Sequence, residues 1–157
     1  MCVETSRLYI YPISNEAMVE LIDSEQDASL KQAYSEMLQG CVQNPESRIW
    51  YAVWNIALKD LPGTIIGDLS FKGLNADGSV EIGYGLREGY CGNGYMTEAV
   101  KAMANWAHSQ NGVTKVIAET TTDNLASQRV LLRAGFVPLG MNGQEGPLYL
   151  YRNEMEE

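Results

Sequence analysis

Histidine occurs once in these 157 residues, phenylalanine twice and cysteine three times. With only His108, and no nucleophile motif beside it, a hydrolytic triad has no support. Cys2, Cys41 and Cys91 are odd in number and widely spaced, with no metal-type or redox-type pair among them, so a reduced protein without a metal is expected. No apolar run approaches the ~20 residues that cross a bilayer, so no membrane partner is expected. The first residues lack the features of a secretory signal, and a cytoplasmic location is the expectation. Positive charge is also scarce. Eleven Lys and Arg face twenty Asp and Glu, and the net charge of −9 argues against nucleic acid as a partner.

Repeats, low-complexity tracts and long linkers are missing too, which points to one domain over residues 1–157. The apolar share of 45% is enough for a real core and excludes disorder. Charge is unevenly placed. From Arg87 to Arg133, five basic residues meet four acidic ones, leaving that stretch at +1 and the rest at −10. Such a split suits an anionic cofactor and a cationic second substrate, although solubility alone accounts for an acidic body.

Residues 7–13 read as a strand, followed by Ser14 as the N-cap of a short helix. A helical stripe runs through Leu30, Ala33, Tyr34, Met37, Leu38 and Cys41. Strands are expected at 48–58, 64–71 and 79–86, joined by turns at Pro62-Gly63 and Asp77-Gly78. A helix begins near Met96, a β-branched strand covers 114–120, and a helix capped at Asp123 or Asn124 runs to Ala134. A last hairpin, 136–141 and 148–152, turns at Asn142-Gly143. The order predicts an α+β (α/β three-layer) fold with a mixed sheet of about seven strands and helices on both faces.

Between the strand ending at Leu86 and the helix of Met96 lies a glycine-rich turn with Gly89, Gly92 and Gly94. The lysine and serine of a nucleotide-hydrolase loop are missing from it. A turn of this kind leaves backbone N–H groups at a helix start free for a phosphate or pyrophosphate. A dinucleotide site would place the turn in the first strand–helix unit of a parallel sheet, whereas here it follows a meander.

Three blocks occur in order: Glu81-Ile-Gly-Tyr84, Gly92-Asn-Gly-Tyr-Met-Thr-Glu-Ala99, and Asn124-Leu-Ala-Ser127 followed by Gly135-Phe136. Together they resemble the GNAT superfamily of acetyl-CoA-dependent N-acetyltransferases, most closely its ribosomal-protein N-terminal (RimJ/RimL-like) branch. The resemblance covers essentially the whole chain. It departs at Gly89, where the wider superfamily has Gln or Arg. The resemblance implies the acyl-CoA N-acyltransferase fold, a mostly antiparallel sheet splayed at its centre. It implies acetyl-CoA as co-substrate, with the pantetheine arm near Leu86 and the pyrophosphate on N–H groups of Cys91, Gly92, Asn93, Gly94, Tyr95 and Met96. Asn124 has two readings, a helix cap or a donor to the pantetheine arm.

Transfer to an amine needs a neutral nucleophile, a stabilised oxyanion and a proton for the leaving thiolate. An amine of pKa ~10.4 is roughly 0.04% neutral at pH 7 and an α-amine near ~8 about 10%, so an α-amine asks less of a base. Glu81 matches the strand glutamate that serves as base in the histone acetyltransferase branch, and Glu119 is the second candidate. The family's acid is a tyrosine seven residues after the asparagine. That position is Leu131 here, which leaves Ser127 as the candidate donor to sulfur. The acceptor is expected to be a small cationic amine or a protein N-terminus. An exposed Trp or Tyr surface would support a homodimer. The alternative reading is a module that binds acyl-CoA as a sensor without transfer.

Overall fold

The computed structural model describes residues 1–153. Five strands come before the glycine turn: β1 (Val3–Glu4), β2 (Leu8–Pro12), β3 (Val53–Leu58), β4 (Ile65–Leu74) and β5 (Ser79–Leu86). Three follow it: β6 (Lys115–Glu119), β7 (Phe136–Asn142) and β8 (Pro147–Tyr151). The helices are α1 (Asn15–Ser24), α2 (Ala28–Gln43), α3 (Tyr95–His108) and α4 (Leu125–Arg133). The strands make one sheet in the order β1-β2-β3-β4-β5-β6-β8-β7. All neighbours are antiparallel except β5 and β6.

That parallel pair is short. It holds from Ser79↔Lys115 to Glu81↔Ile117, after which β5 runs on to Leu86 and β6 to Glu119 without pairing to each other. The sheet therefore splits at its centre, as expected. The edge of β5 that faces the gap keeps backbone groups that no strand satisfies, a condition a fold tolerates only where water or a ligand reaches them.

Strand alternation assigns the two faces. Ile82, Phe71, Leu69, Val116 and Ala118 share a core with Ala99, Val100 and Met103 of α3 and Leu131 of α4. Trp50, Trp54, Phe71 and Trp106 form its aromatic centre, with ring centroids 5.1–6.3 Å apart. A smaller core on the opposite face holds Ile13, Met18, Tyr34, Cys41, Ala52 and Val53 beneath α1 and α2. Those two helices cover only one half of the sheet. Over β5 the opposite face carries Glu81, Gly83 and Gly85.

The expected mixed sheet of about seven strands is present, with eight strands among the described residues because Val3 and Glu4 pair with Ile10 and Tyr9. One expectation needs correction. The strand expected from Arg48 begins only at Val53, and Pro45–Trp50 is a 3-10 turn. Pro45 sits at its first position, where its fixed φ is already helical. Trp50 is buried (6% exposed) against Phe71 and Trp106 instead of by strand alternation.

Candidate active site

Of the four α-helices among the described residues, three begin on a side-chain cap. Ser14 accepts from the Ala17 N–H, Asp27 from Ser29 and Leu30, and Asn124 from Ser127 at 3.0 Å. Helix α3 differs. Its N-cap is Gly94, in the left-handed region at φ 77° and without a side chain to offer. Gly92 also has positive φ, and nothing lies within 4 Å of where its Cβ would stand. The N–H groups of Cys91, Gly92, Asn93 and Gly94 donate to no other described residue. An uncapped helix start with free loop amides is suited to an anion, since the N–H groups and the helix dipole act together.

The loop is braced from outside. Arg7 donates through Nη1 to the Asn93 carbonyl at 3.0 Å and through Nε to Glu98 at 2.8 Å, and its guanidinium lies 4.4 Å from the Tyr95 ring centre. The Thr5 hydroxyl and the Arg7 N–H also donate to Glu98. Partial burial works to raise the Glu98 pKa, but these donors outweigh it and hold the carboxyl below the usual glutamate value. Glu98 thus has a structural task beyond complementing the helix dipole.

In front of the loop opens a cleft of about 470 Å³ at the split between β5 and β6. It is walled by Tyr84, Gly85 and Leu86 of β5, the glycine turn with Tyr95 and Met96, and the α4 side. The structure brings together there Leu86, Cys91, Gly92, Gly94, Tyr95, Met96, Asn124 and Ser127. Asn93 stands beside the cleft, with its carbonyl taken by Arg7. Asn124 does what a cap does while lining the cleft, so its amide nitrogen remains for a second contact. Just past β6, Thr120 has a buried hydroxyl with no hydrogen-bond partner among the described residues.

Sequence reasoning missed two features of this wall. The Tyr84 hydroxyl lies 2.9 Å from Ser127 Oγ, and burial raises its pKa, so it stays protonated. Alternation along β5, which turns Tyr84 to the α4 side with Ile82, was the available signal. Arg129 and Arg133, one helical turn apart on α4, also line the cleft. Leu131 between them is fully buried in the core.

Glu81 is outside the cleft, on the opposite face of β5, where its carboxylate forms an ion pair with Lys72 of β4. Glu119 accepts from the N–H groups of Glu145 and Gly146 and so holds the β7–β8 turn. No cluster of metal-ligating side chains occurs among the described residues. No described helix is long and apolar enough to cross a membrane.

A split mixed sheet, with an uncapped helix and a glycine turn at the split, is the acyl-CoA N-acyltransferase fold. The acetyltransferase (GNAT) domain family matches residues 7–137, and the chain belongs to that family. It is 29% identical over 141 residues to the uncharacterized N-acetyltransferase YoaA of Bacillus subtilis, covering 89% of this chain and 76% of that protein. It is 35% identical over 85 residues to the uncharacterized N-acetyltransferase YjdG of the same organism, covering 54% of this chain and only half of the relative's length. Among solved structures, ribosomal-protein-S5-alanine acetyltransferase from Vibrio fischeri superposes with TM-score 0.72 at 18% identity, over 100% of this chain and 99% of that one. RimL, a ribosomal L7/L12 α-N-protein acetyltransferase in complex with coenzyme A, gives 0.71 at 17% identity over 96% of both chains.

Proposed function

We propose that this chain transfers the acetyl group of acetyl-CoA to a primary amine, by direct attack while both substrates are bound. The observation that carries the reading is the uncapped start of α3, whose free loop amides open onto a cleft at the split in the sheet. The neighbouring RimL structure holds coenzyme A, which supports the same ligand here.

In this reading the amides of residues 91–96 hold the pyrophosphate, and the unpaired edge of β5 near Leu86 holds the pantetheine arm. Gly92 and Gly94 supply the backbone shape for close approach. Arg129 and Arg133 add positive charge on the α4 wall for the remaining phosphate. The amine approaches the thioester from the opposite face of β5, where Glu81 lies with Lys72. Paired with Lys72, the Glu81 carboxylate stands on the acceptor side as the candidate to take the proton that the amine must lose. On the cleft side, Tyr84 and Ser127 form a hydroxyl pair that can protonate the departing sulfur. Tyr84 thereby fills from a strand the role that Leu131 cannot fill from the helix.

Thiol release from acetyl-CoA, followed over a mixed library of amines and free-N-terminus peptides, tests the reading. Turnover on at least one amine is expected, with Glu81→Gln lowering kcat at neutral pH and the loss shrinking as pH rises. Tight acetyl-CoA binding without transfer to any amine would mark a sensor instead.

A further inference from the structure

One carboxyl group near the site is used by neither the cofactor wall nor the sheet. Asp68 lies on β4 directly across from Gly85 of β5. It points to the α2 face, where Tyr34 donates its hydroxyl to Oδ2 at 2.7 Å. Oδ1 accepts no hydrogen bond from any described residue. Of the three carboxylates around the split, Asp68 has neither a salt-bridge partner nor a backbone N–H donor among the described residues. Glu81 is paired with Lys72, and Glu119 holds the hairpin turn.

The ground beside Asp68 is clear. Strand β5 presents glycine at both nearby positions on that face, Gly83 opposite Ser70 and Gly85 opposite Asp68. A Cβ on Gly83 would only touch Ser70 and Lys72 at 3.8–3.9 Å, and one on Gly85 would meet nothing within 4 Å. Gly85 also borders the cofactor cleft, so the two spaces share one residue of backbone as their wall. A group resting on Asp68 Oδ1 would lie over Gly85, on the far side of the strand from Tyr84.

The physical chemistry says what that group must be. Burial raises the Asp68 pKa, Tyr34 and the more distant Arg87 oppose the shift, and the charge of Glu25 adds to it. A carboxylate held partly out of water without a close cation is costly, and an ammonium donating to its free oxygen removes that cost. Neutral amines and anions gain nothing comparable.

We propose that Asp68 is the seat of the acceptor amine, received as an alkylammonium ion over the side-chain-free stretch of β5. This rests on the acetyltransferase reading and narrows it to acceptors that are cationic before reaction. Tyr34 positions the carboxylate; the seated ammonium gives its proton to Glu81, its nitrogen then attacks the thioester carbon, and the carbon–sulfur bond breaks as the departing thiolate takes a proton from the Tyr84–Ser127 pair. The same chemistry is offered by a protein N-terminus and by a free polyamine.

Steady-state kinetics with acetyl-CoA test the proposal, using a free-N-terminus peptide, spermidine and an arylamine that is uncharged at neutral pH. Asp68→Asn keeps an acceptor for Tyr34, so the fold should hold. It should raise KM for the cationic acceptor by at least about tenfold, with kcat within about twofold and the acetyl-CoA Kd from calorimetry unchanged. Asp68→Glu should restore part of the affinity, and whichever of peptide or spermidine shows the KM shift names the source of the ammonium. Preference for the arylamine, an unchanged KM in Asp68→Asn, or a loss shared equally with acetyl-CoA binding would overturn the proposal while leaving the acetyltransferase reading intact. Failure of the unaltered protein to acetylate any amine would overturn both.

Discussion

Single side chains carry the chemistry, and here they divide by which face of β5 they occupy. Tyr84 and Ser127 share a hydrogen bond on the cleft side, whereas Glu81 and Lys72 pair on the other. In the proposed reaction, proton delivery to sulfur and proton removal from nitrogen would be separated by one strand, which would keep the two hydrogen-bond systems from short-circuiting. Tyr84→Phe removes the hydroxyl and little else. It should lower kcat by about 10- to 100-fold while the acetyl-CoA Kd stays within about twofold, as measured by stopped turnover and calorimetry. A fall in thermal stability with unchanged kcat would leave Tyr84 a packing residue. Little of this was legible beforehand. The motif Glu81-Ile-Gly-Tyr84 marked the strand, but which hydroxyl meets which depends on a helix 43 residues later. Asp68 was less legible still, because its value lies in the two glycines across from it.

The elements were easier to read, and the reasons differ between them. The glycine turn was visible because only glycine adopts φ near 77–91° at such low cost, so Gly89, Gly92 and Gly94 announce the backbone that they make. Where aromatic and apolar residues cluster, as at Arg48 to Trp54, period alone could not tell a strand from a 3-10 turn. Pro45 was the deciding residue. The turn also yields a sharp expectation. At Gly94 an added Cβ meets only Arg7, at an ordinary 3.6 Å, so a larger residue fails there through its φ rather than through a clash. Forcing valine into the left-handed region costs about 1–2 kcal/mol, and the backbone should flip to escape it. Gly94→Val should therefore weaken acetyl-CoA binding by about tenfold or more, seen by calorimetry, with the circular dichroism of the sheet unchanged.

At the scale of the whole molecule, one contact ties the first strands to the site across the chain. Glu98 receives Thr5 and Arg7, and Arg7 in turn holds Asn93. Because the carboxyl is held below its unfolded value of 4.5, its contribution to stability is fully present above that pH and fades as pH falls through the folded value. Arg7 is partly exposed, so solvent screening limits the gain. Glu98→Gln should lower the melting midpoint by about 3 °C at pH 7, roughly 1 kcal/mol. As pH falls below 4.5 and through the lowered folded value, the two proteins should converge in a denaturant titration. A constant gap across that range would assign the loss to packing instead.

The same brace has a kinetic meaning. Arg7 and Asn93 are 86 residues apart, so their contact closes a loop that spans more than half of the chain. Contacts of such sequence separation form late, after local helices and the meander of neighbouring strands. A refolding molecule would regain its sheet signal first and the proposed binding of coenzyme A last, and the lag between the two would time the docking of the first strand.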